Sequence, residues 1–541
     1  MGNAKNSKFL GLLALTAVML AAAGCAEPPE SATEQGIEQG METGTETSTE
    51  AVVYWPTEGW QTSTPEQQGI DSEKLAETLD YIREEDVNIH SLLLIRNGYV
   101  VTDAYFYPFS EGSIHDTASV TKSFTSALTG IAISEGYISG VEQPVLGFFP
   151  DRTVENVDAK KEAMTLEDLL TMRSGFECAN DEATLSQMRE SPDWVQFVLD
   201  LPMAEKPGTR FVYCSCNSHL LSGIIRETTG MSEQDYANGS LFEPLGISNV
   251  SWPSDPQGNN HGWGDLRLTP YDMAKMGYLY LNGGFWEGKQ VVPAEWVSES
   301  TQKHVSLEEG DGYGYQWWTS GSVPGIYEAV GRGGQRITIW PEKNIILVTT
   351  GGGFEPDELA PFLLASLQSD QALPENSEAY GQLQEKIAAA STPPDPEPVP
   401  ALPETAEKIS GKTYVVEPNP YGIEAISLSF EGQEEALLNL SLEEGPQILL
   451  VGLDNVYRLS PGGQFGPLAL KGFWKTDNEF VFYYNEVSNI NNFQVSMTFE
   501  ADQVTVRVEE LTGTGSSATF GGRLEESSSE QDSTEPHNTG I

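Results

Sequence analysis

A proline-rich segment at residues 392–400 divides the 541-residue chain into two stretches with different hydrophobic patterns. Closely spaced prolines form a stiff, extended linker, because each fixes its own φ and lacks a backbone N–H. Residues 55–373, before the segment, mix helix-like and strand-like periods, whereas residues 404–524 show only short alternating runs. The sequence therefore predicts two separately built folded regions rather than one continuous architecture.

Residues 55–373 are predicted to form an α+β body, an antiparallel sheet flanked by helices with a helical subdomain. In chain order we expect a helix over 71–83, a hairpin over 91–101 turning at Asn97-Gly98, a mostly helical block over 119–229, strands over 314–318, 334–340 and 344–350, and a helix over 355–368. A helix and the linker are expected over 374–403. Residues 404–524 are predicted to form a small all-β sandwich or barrel, and 525–541 a disordered acidic tail.

The amino terminus indicates export. Lys5 and Lys8 precede an apolar run at residues 9–23 that is too short to span a bilayer comfortably. The following Gly24-Cys25 resembles a bacterial lipobox, in which the cysteine carries the lipid. Residues 1–24 are thus predicted to be a lipoprotein signal peptide, and the protein to be anchored through Cys25 on the outer face of a bacterial membrane. A plain signal peptide is the alternative.

The chain is strongly acidic, with 80 acidic against 29 basic residues and a net charge of −51. Such a charge repels phosphate backbones and argues against a nucleic-acid partner. In residues 25–54 glutamates recur every fourth position among threonine, serine and glycine. Like charges at that spacing destabilise a helix, so this segment is predicted to be an extended, disordered tether.

A nucleophile candidate lies at the start of the helical block. Ser119-Val-Thr-Lys122 precedes a small, apolar, helix-compatible run. In a first helical turn, residues three apart share one face, so the Lys122 ammonium would lie near the Ser119 hydroxyl. Serine needs such a partner to take its proton before it can attack a carbonyl. This spacing alone is a weak signal, since an ordinary surface helix can begin the same way.

Two further segments carry polar or glycine-rich features that suit such a site. Tyr213-Cys-Ser215-Cys-Asn217 lies at a turn leading into a helix and can bring a phenol, a hydroxyl and an amide to one place. Later, Gly331-Arg332-Gly333-Gly334-Gln335 precedes a predicted strand, where glycines let a substrate approach backbone N–H groups that can form an oxyanion hole.

In this order the three segments resemble the penicillin-recognising serine hydrolases, specifically the class C β-lactamase and esterase branch. The resemblance spans about residues 60–370. It includes four stretches outside the catalytic motifs: 64–69, 165–175, 263–269 and 272–277. It implies a β-lactamase-like fold and acyl transfer through a covalent serine intermediate, with no metal and no organic cofactor.

The resemblance also implies roles for individual residues. Ser119 would be the nucleophile, and Lys122 and Tyr213 would relay its proton. Ser215 takes a position where many β-lactamases have asparagine, and Gly331-Arg332-Gly333 falls where Lys-Thr-Gly is usual. These departures favour relatives such as 6-aminohexanoate-dimer hydrolases, acting on a small ester, amide or peptide. The residues expected to bind substrate or the oxyanion are Ser215, Asn217, Arg332, Gly333, Gly334 and Gln335.

Several alternatives remain open. The same motifs are compatible with a D-Ala peptidase, a true β-lactamase and a non-catalytic wall-binding lipoprotein. His115 lies four residues before Ser119, but no nucleophile elbow supports a Ser-His-Asp triad. In an exported protein Cys178 can pair with Cys214 or Cys216, and three reduced thiols are the alternative.

Overall fold

The computed structural model describes residues 54–432, 434–443, 445–463 and 466–525. The predicted signal peptide, Cys25, nearly all of the tether and the tail after residue 525 lie outside these ranges. Over the ranges described, none of the helices is both long and apolar enough to cross a bilayer.

The helices are named α1 to α14 in chain order. They are α1 (Ser72–Glu84), α2 (Thr121–Ser134), α3 (Ala159–Ala163), α4 (Leu166–Leu170), α5 (Asp181–Glu190), α6 (Trp194–Asp200), α7 (Ser215–Thr229), α8 (Glu233–Ala237), α9 (Glu243–Leu245), α10 (Pro270–Leu281), α11 (Ala294–Thr301), α12 (Ala360–Ser366), α13 (Ser377–Ser391) and α14 (Glu404–Ile409). Short 3-10 turns precede α2, at Ala118–Val120, and α12, at Pro356–Leu359.

The strands are named β1 to β23. Those before the linker are β1 (Gln61–Thr62), β2 (Ile89–Arg96), β3 (Tyr99–Tyr105), β4 (His115–Asp116), β5 (Arg267–Leu268), β6 (Phe285–Trp286), β7 (Lys289–Gln290), β8 (Val305–Ser306), β9 (Gly312–Tyr313), β10 (Trp318–Thr319), β11 (Tyr327–Gly331), β12 (Gln335–Trp340) and β13 (Ile345–Gly351). Those after it are β14 (Lys412–Val416), β15 (Ile423–Ser429), β16 (Glu435–Leu442), β17 (Gly445–Gly452), β18 (Arg458–Ser460), β19 (Leu468–Trp474), β20 (Glu479–Glu486), β21 (Asn492–Glu500), β22 (Gln503–Glu510) and β23 (Ser517–Leu524).

The body is built on a nine-stranded sheet in the order β1-β3-β2-β13-β12-β11-β10-β9-β8. Its pairings are antiparallel except for β1 with β3. Side chains alternate across the sheet, so Leu92 and Leu94 pack with α1, α12 and α13, while Leu93 and Ile95 belong to the larger core on the other face. The α+β body predicted from the sequence is confirmed.

The helical subdomain, α2 to α9, lies between β4 and β5 in the chain. Helix α2 is buried along nearly its whole length and contacts α7 and α11. A disulfide joins Cys178 to Cys214, which selects one of the two predicted pairings, and Cys216 remains a buried free thiol.

The predicted strand over 314–318 is wrong. Only Trp318 of this stretch is in a strand, because the chain bends at Gln316, whose φ is +64°. The buried Gln316 amide donates to the backbone of Leu170 at 2.8 Å and accepts a hydrogen bond from Ser218 at 2.7 Å. These contacts to the helical subdomain hold the bend, and they depend on a partner more than 90 residues away in sequence.

The carboxyl-terminal region is a closed barrel. Its ten strands follow the order β17-β16-β15-β14-β23-β22-β21-β20-β19-β18. A parallel pairing of Gly452 in β17 with Lys471 in β19 closes nine of them into a ring, with β18 outside. The alternating inward residues form their own apolar core. Of the two predicted alternatives, sandwich and barrel, the barrel is observed.

The barrel contacts the body at several points. The linker backbone N–H of Glu397 donates to the backbone carbonyl of Asp454 at 2.9 Å. The Tyr107 hydroxyl donates to the backbone carbonyl of Tyr457, also at 2.9 Å. Phe109 of the body packs with Val487 of the barrel in a small separate apolar cluster. The loop between β20 and β21, residues 487–491, therefore lies against the body.

Candidate active site

Ser119 occupies a constrained turn immediately before α2. Ala118, the residue before it, has a φ of +47°, a left-handed conformation that costs an L-residue with a side chain about 1–2 kcal/mol. The Asp116 carboxylate accepts a hydrogen bond from the Ala118 backbone N–H at 2.7 Å, and the Thr121 hydroxyl donates to the Ala118 carbonyl at 2.7 Å. The two contacts stabilise this turn and fix the half-buried Ser119 at the start of the helix.

Lys122 lies one helical turn beyond Ser119, on the same face. Its Nζ is 2.9 Å from the Ser119 Oγ, 3.3 Å from the Ser215 Oγ and 2.9 Å from the Trp263 carbonyl oxygen. The side chain is only 1% exposed. Three oxygens surround the buried amine, which is held within proton-transfer distance of the candidate nucleophile.

Ser215 continues the hydrogen-bond chain away from Lys122. Its hydroxyl donates to the Asp181 Oδ2 at 2.8 Å, and its backbone N–H donates to the Asp181 Oδ1 at 2.5 Å. The carboxylate therefore orients the Ser215 hydroxyl so that its oxygen lone pairs face Lys122. Sequence reasoning missed Asp181, which looks like an ordinary acidic residue in the first turn of α5.

The disulfide explains how Asp181 reaches Ser215 across 34 residues of sequence. Cys178 lies three residues before Asp181, and Cys214 lies immediately before Ser215, so the bond brings the two segments together.

The Cys178, Asp181 and Cys214 ligand atoms lie within 4.8 Å of one another. Because the two sulfurs are bonded to each other, only the carboxylate of this group is available to a cation. The prediction of a metal-free site stays a prediction.

Tyr213 lies beside the Lys122 amine. The Lys122 Nζ is 4.9 Å from the centroid of the Tyr213 ring. The ring stacks on Trp318 at 5.9 Å and meets the edge of Tyr313 at 6.4 Å. Two aromatic neighbours thus hold a half-buried phenol next to the buried lysine. The structure brings Ser119, Lys122, Tyr213 and Ser215 into one group.

The glycine-rich turn between β11 and β12 passes next to the Ser119 turn. A Cβ added at Gly331 would lie 2.5 Å from the Thr117 carbonyl oxygen, so only glycine allows this approach. Gly333 and Gly334 have φ angles of +83° and +95°, a region that side chains disfavour. The glycine turn therefore passes the Ser119 turn at Gly331, and the oxyanion role of a backbone N–H near Gly334 stays a prediction.

His115 is engaged away from Ser119. Its Nε2 shares a hydrogen bond with the Nδ1 of His90 at 2.8 Å, and its Nδ1 lies 2.8 Å from the Asp116 carbonyl oxygen. Burial lowers the pKa of His115 to about 4. Both ring nitrogens are occupied, so the geometry does not favour a histidine as the base for Ser119.

Comparison with known proteins gives the same family as the site. The β-lactamase family model matches residues 85–366, a little more than half of the chain. The chain belongs to the β-lactamase family. It is 23% identical over 319 residues to the 6-aminohexanoate-dimer hydrolase of Paenarthrobacter ureafaciens, covering 54% of this chain and 81% of that relative. It is 25% identical over 159 residues to the β-lactamase of Escherichia coli K12, covering 29% of this chain and 40% of the relative.

Two of the solved structures that resemble this chain are the following. The octameric penicillin-binding protein homologue from Pyrococcus abyssi has a TM-score of 0.45 and 18% identity, covering 83% of this chain and 99% of that chain. EstCE1, a hydrolase with promiscuous acyltransferase activity, has a TM-score of 0.46 and 14% identity, covering 58% of this chain and 99% of that one. The β-lactamase-family match and the curated relatives identify a serine hydrolase.

Two residues predicted to contact the substrate are buried and hydrogen-bonded inside the body of this β-lactamase-family chain. Asn217 is fully buried, and its amide donates to the Met172 sulfur at 3.7 Å. Gln335 is also fully buried, and its amide donates to the Gly351 carbonyl at 2.6 Å and accepts from its N–H at 3.1 Å. Both amides hold body elements together, so neither is presented to a substrate.

Arg332 is exposed but has a partner from the barrel. Its guanidinium donates to the Asn491 side-chain oxygen at 2.8 Å. The predicted contact of Arg332 with the substrate would have to replace or extend this bond. Beside it, a Cβ at Gly333 would lie 2.5 Å from the Ile490 side chain, so the barrel loop packs directly on the glycine turn.

Proposed function

We propose that the protein hydrolyses a small ester or amide through an acyl-enzyme on Ser119, with Lys122 and Tyr213 as the proton-transfer pair. The observation that carries the proposal is the 2.9 Å contact between the buried Lys122 Nζ and the Ser119 Oγ. Proximity of this kind converts an unreactive hydroxyl into a nucleophile without a metal or cofactor.

The reaction is proposed to proceed in two balanced halves. The Ser119 oxygen attacks the substrate carbonyl while its proton passes to the Lys122–Tyr213 pair, and the pair returns a proton to the leaving alcohol or amine. Water then attacks the acyl-serine, gives its proton to the same pair, and releases the carboxylic acid as Ser119 regains its proton. The oxyanion would be held by the Ser119 N–H and a backbone N–H near Gly334.

Two features favour an ester or amide over a β-lactam. Ser215 stands at the position where many β-lactamases have asparagine, and its hydroxyl is already committed to Lys122 and Asp181. Gly331 stands at the lysine position of Lys-Thr-Gly, and Arg332, the next residue, is bonded to Asn491. The curated relative of Paenarthrobacter ureafaciens is a 6-aminohexanoate-dimer hydrolase, which is consistent with amide cleavage.

Export and lipid anchoring through Cys25 are part of the same proposal. They are supported by the basic and apolar amino terminus and by the lipobox-like Gly24-Cys25. The Cys178–Cys214 disulfide adds independent support, because such bonds persist in oxidising compartments outside the cytoplasm. Globomycin treatment of producing cells tests the anchor: a larger, unprocessed precursor is expected, and unaltered processing would contradict it.

A fluorophosphonate probe tests the enzymatic proposal. We expect covalent labelling of the wild type and none of Ser119→Ala. Ser134→Ala, at the far end of α2, should label normally. Absence of labelling in a folded wild type would favour the wall-binding alternative. A matched panel of p-nitrophenyl esters, amides, a cephalosporin and D-Ala peptides then ranks the activities, with esters or amides expected to exceed the cephalosporin.

A further inference from the structure

The interior of the barrel is filled at one end and hollow at the other. Aromatic rings occupy the filled end with centroids 5.4–6.2 Å apart: Tyr414, Phe430, Trp474, Phe480 and Phe499. The other end contains a cavity of about 550 Å³. A nine-stranded barrel is wider than one that side chains fill easily, and here the rings that meet one another across the interior are gathered at one end.

The wall of this lumenal cavity is apolar. It is formed by buried aliphatic and aromatic side chains from β16, β20, β21 and β22, among them Leu438, Leu440, Phe482, Val495, Val506 and Val508. A volume within the usual range of small-molecule sites, enclosed by such a wall, is suited to an apolar ligand.

The polar groups of the cavity are at its rim and are acidic or neutral. Glu443 and Glu486 lie at the ends of β16 and β20, and Gln447 lies near the start of β17. The residues that line the cavity within the described ranges include no lysine, arginine or histidine. A ligand carboxylate at this rim would be repelled, while an uncharged hydroxyl could donate to a glutamate.

We propose that the lumenal cavity binds the alkyl chain of an uncharged, single-chain amphiphile, with its polar head at the rim beside Glu486. This is a binding site separate from Ser119 and does not rest on the proposed catalytic activity. The chain can belong to a free amphiphile such as a long-chain alcohol or to the acyl part of an ester substrate, and the chemistry of recognition is the same.

The rim is also the end of the barrel that contacts the hydrolase body. Glu486 accepts a hydrogen bond from the Asn489 amide at 2.6 Å, and the adjoining Ser488 carbonyl accepts one from the Asp116 N–H at 3.0 Å. Asp116 caps the turn that carries Ser119. The head of a bound amphiphile therefore lies at the loop that links the cavity with the active-site turn.

Displacement of the neutral fluorophore N-phenyl-1-naphthylamine from the full-length chain tests the site. We expect the fluorophore to bind at one site per chain, 1-dodecanol to displace it, and dodecanoate to be at least tenfold weaker at pH 7. Native mass spectrometry gives the stoichiometry independently. No saturable binding, or a preference for dodecanoate, would overturn the proposal.

Filling variants locate the binding. Leu440→Phe and Val506→Phe place a ring in the lumen and should weaken fluorophore binding about tenfold or more. Ile448→Phe is the matched control, because Ile448 is 63% exposed on the outside of β17. Equal binding by the filling variants and the control would place the fluorophore elsewhere and contradict the site. If a filling variant does not fold, the thermal midpoint of the wild type is measured instead. 1-Dodecanol should raise this midpoint more than dodecanoate does, and equal midpoints would contradict the site.

Ester kinetics distinguish the two sources of the chain. If the acyl chain of a substrate enters the lumen, Val506→Phe should raise KM for a dodecanoyl ester and leave KM for an acetyl ester unchanged. If a free amphiphile is the ligand, both KM values should be unchanged. Either result agrees with a lumenal alkyl site, since the binding experiment has established the site without reference to turnover.

Discussion

The interior of the body and the interior of the barrel are built in opposite ways. At the centre of the body a polar side chain, Lys122, is buried with three oxygen partners. The barrel interior is lined by apolar groups and is hollow at one end. Burying a polar group is costly unless its hydrogen-bond partners are in place, so the site in the body tolerates few substitutions among those partners. The barrel interior has no such requirement and is suited to binding by shape and polarity.

Removal of the buried amine is the strongest way to test this contrast. Lys122→Met should lower kcat by about 10³-fold, because the proton acceptor for Ser119 is lost while the methionine fills similar space. Lys275→Met is the control: Lys275 is also buried and donates to the Gly246 carbonyl at 3.0 Å, outside the site. Steady-state ester hydrolysis measures both. If Lys275→Met lowered kcat by a similar factor, the effect would come from disturbed folding rather than from the lost amine.

The polar interior of the body should also make stability depend on pH. Burial raises the pKa of Glu233 to about 8. Between its ordinary value of 4.5 and about 8, the folded protein keeps a proton that the unfolded chain releases. Stability from this group is therefore full below pH 4.5 and falls by up to about 1.4 kcal/mol per pH unit through that window.

Glu233→Gln tests this pH dependence. The variant should show a flatter decline in the free energy of unfolding between pH 5 and pH 8 in urea titrations. Glu227→Gln, an exposed acid on α7, should decline as the wild type does. Equal slopes for all three proteins would show that Glu233 is ionised in the folded state.

The disulfide should contribute next. It closes a loop of 36 residues, for which the loss of unfolded-chain entropy corresponds to about 3–4 kcal/mol. Cys178→Ala should lower the free energy of unfolding by roughly 2–4 kcal/mol and also lower turnover, because Asp181 and Ser215 flank the bond. Reduction of the wild type with dithiothreitol should reproduce the loss of stability. A bond-free variant with unchanged turnover would show that Asp181 is positioned by other contacts.

Asp181 is expected to have a smaller, purely positional effect. Asp181→Asn weakens two charge-assisted hydrogen bonds to Ser215 and should lower kcat by about tenfold, with KM and the thermal midpoint little changed. Glu182→Gln, at the exposed neighbouring position, should have no effect on kcat. A fall in stability with unchanged kcat would contradict the positioning role.

The sequence predicted those parts of the structure that local rules specify. The Asn97-Gly98 turn, with φ angles of +52° and +82°, follows from the conformational preferences of its two residues. The contact between Ser119 and Lys122 follows from helical spacing. In each case the decisive partner is within four residues in sequence.

The missed features depend on partners that are distant in sequence. Asp181 reaches Ser215 through a disulfide, Gln316 bends its segment by bonding the helical subdomain, and Gln335 pairs its amide with Gly351. Closure of the barrel depends on one pairing, Gly452 with Lys471. No local propensity encodes these contacts, because they form only when separate elements pack together.

The most direct test of the account is to trap and map the acyl-enzyme. The protein is mixed with a p-nitrophenyl ester, quenched in acid within the burst phase, digested, and examined by mass spectrometry. The account predicts the acyl mass on the peptide that contains Ser119 and ends at Lys122, accumulating in the wild type and absent in Ser119→Ala. An acyl group on another residue, or turnover that persists in Ser119→Ala, would contradict the central claim.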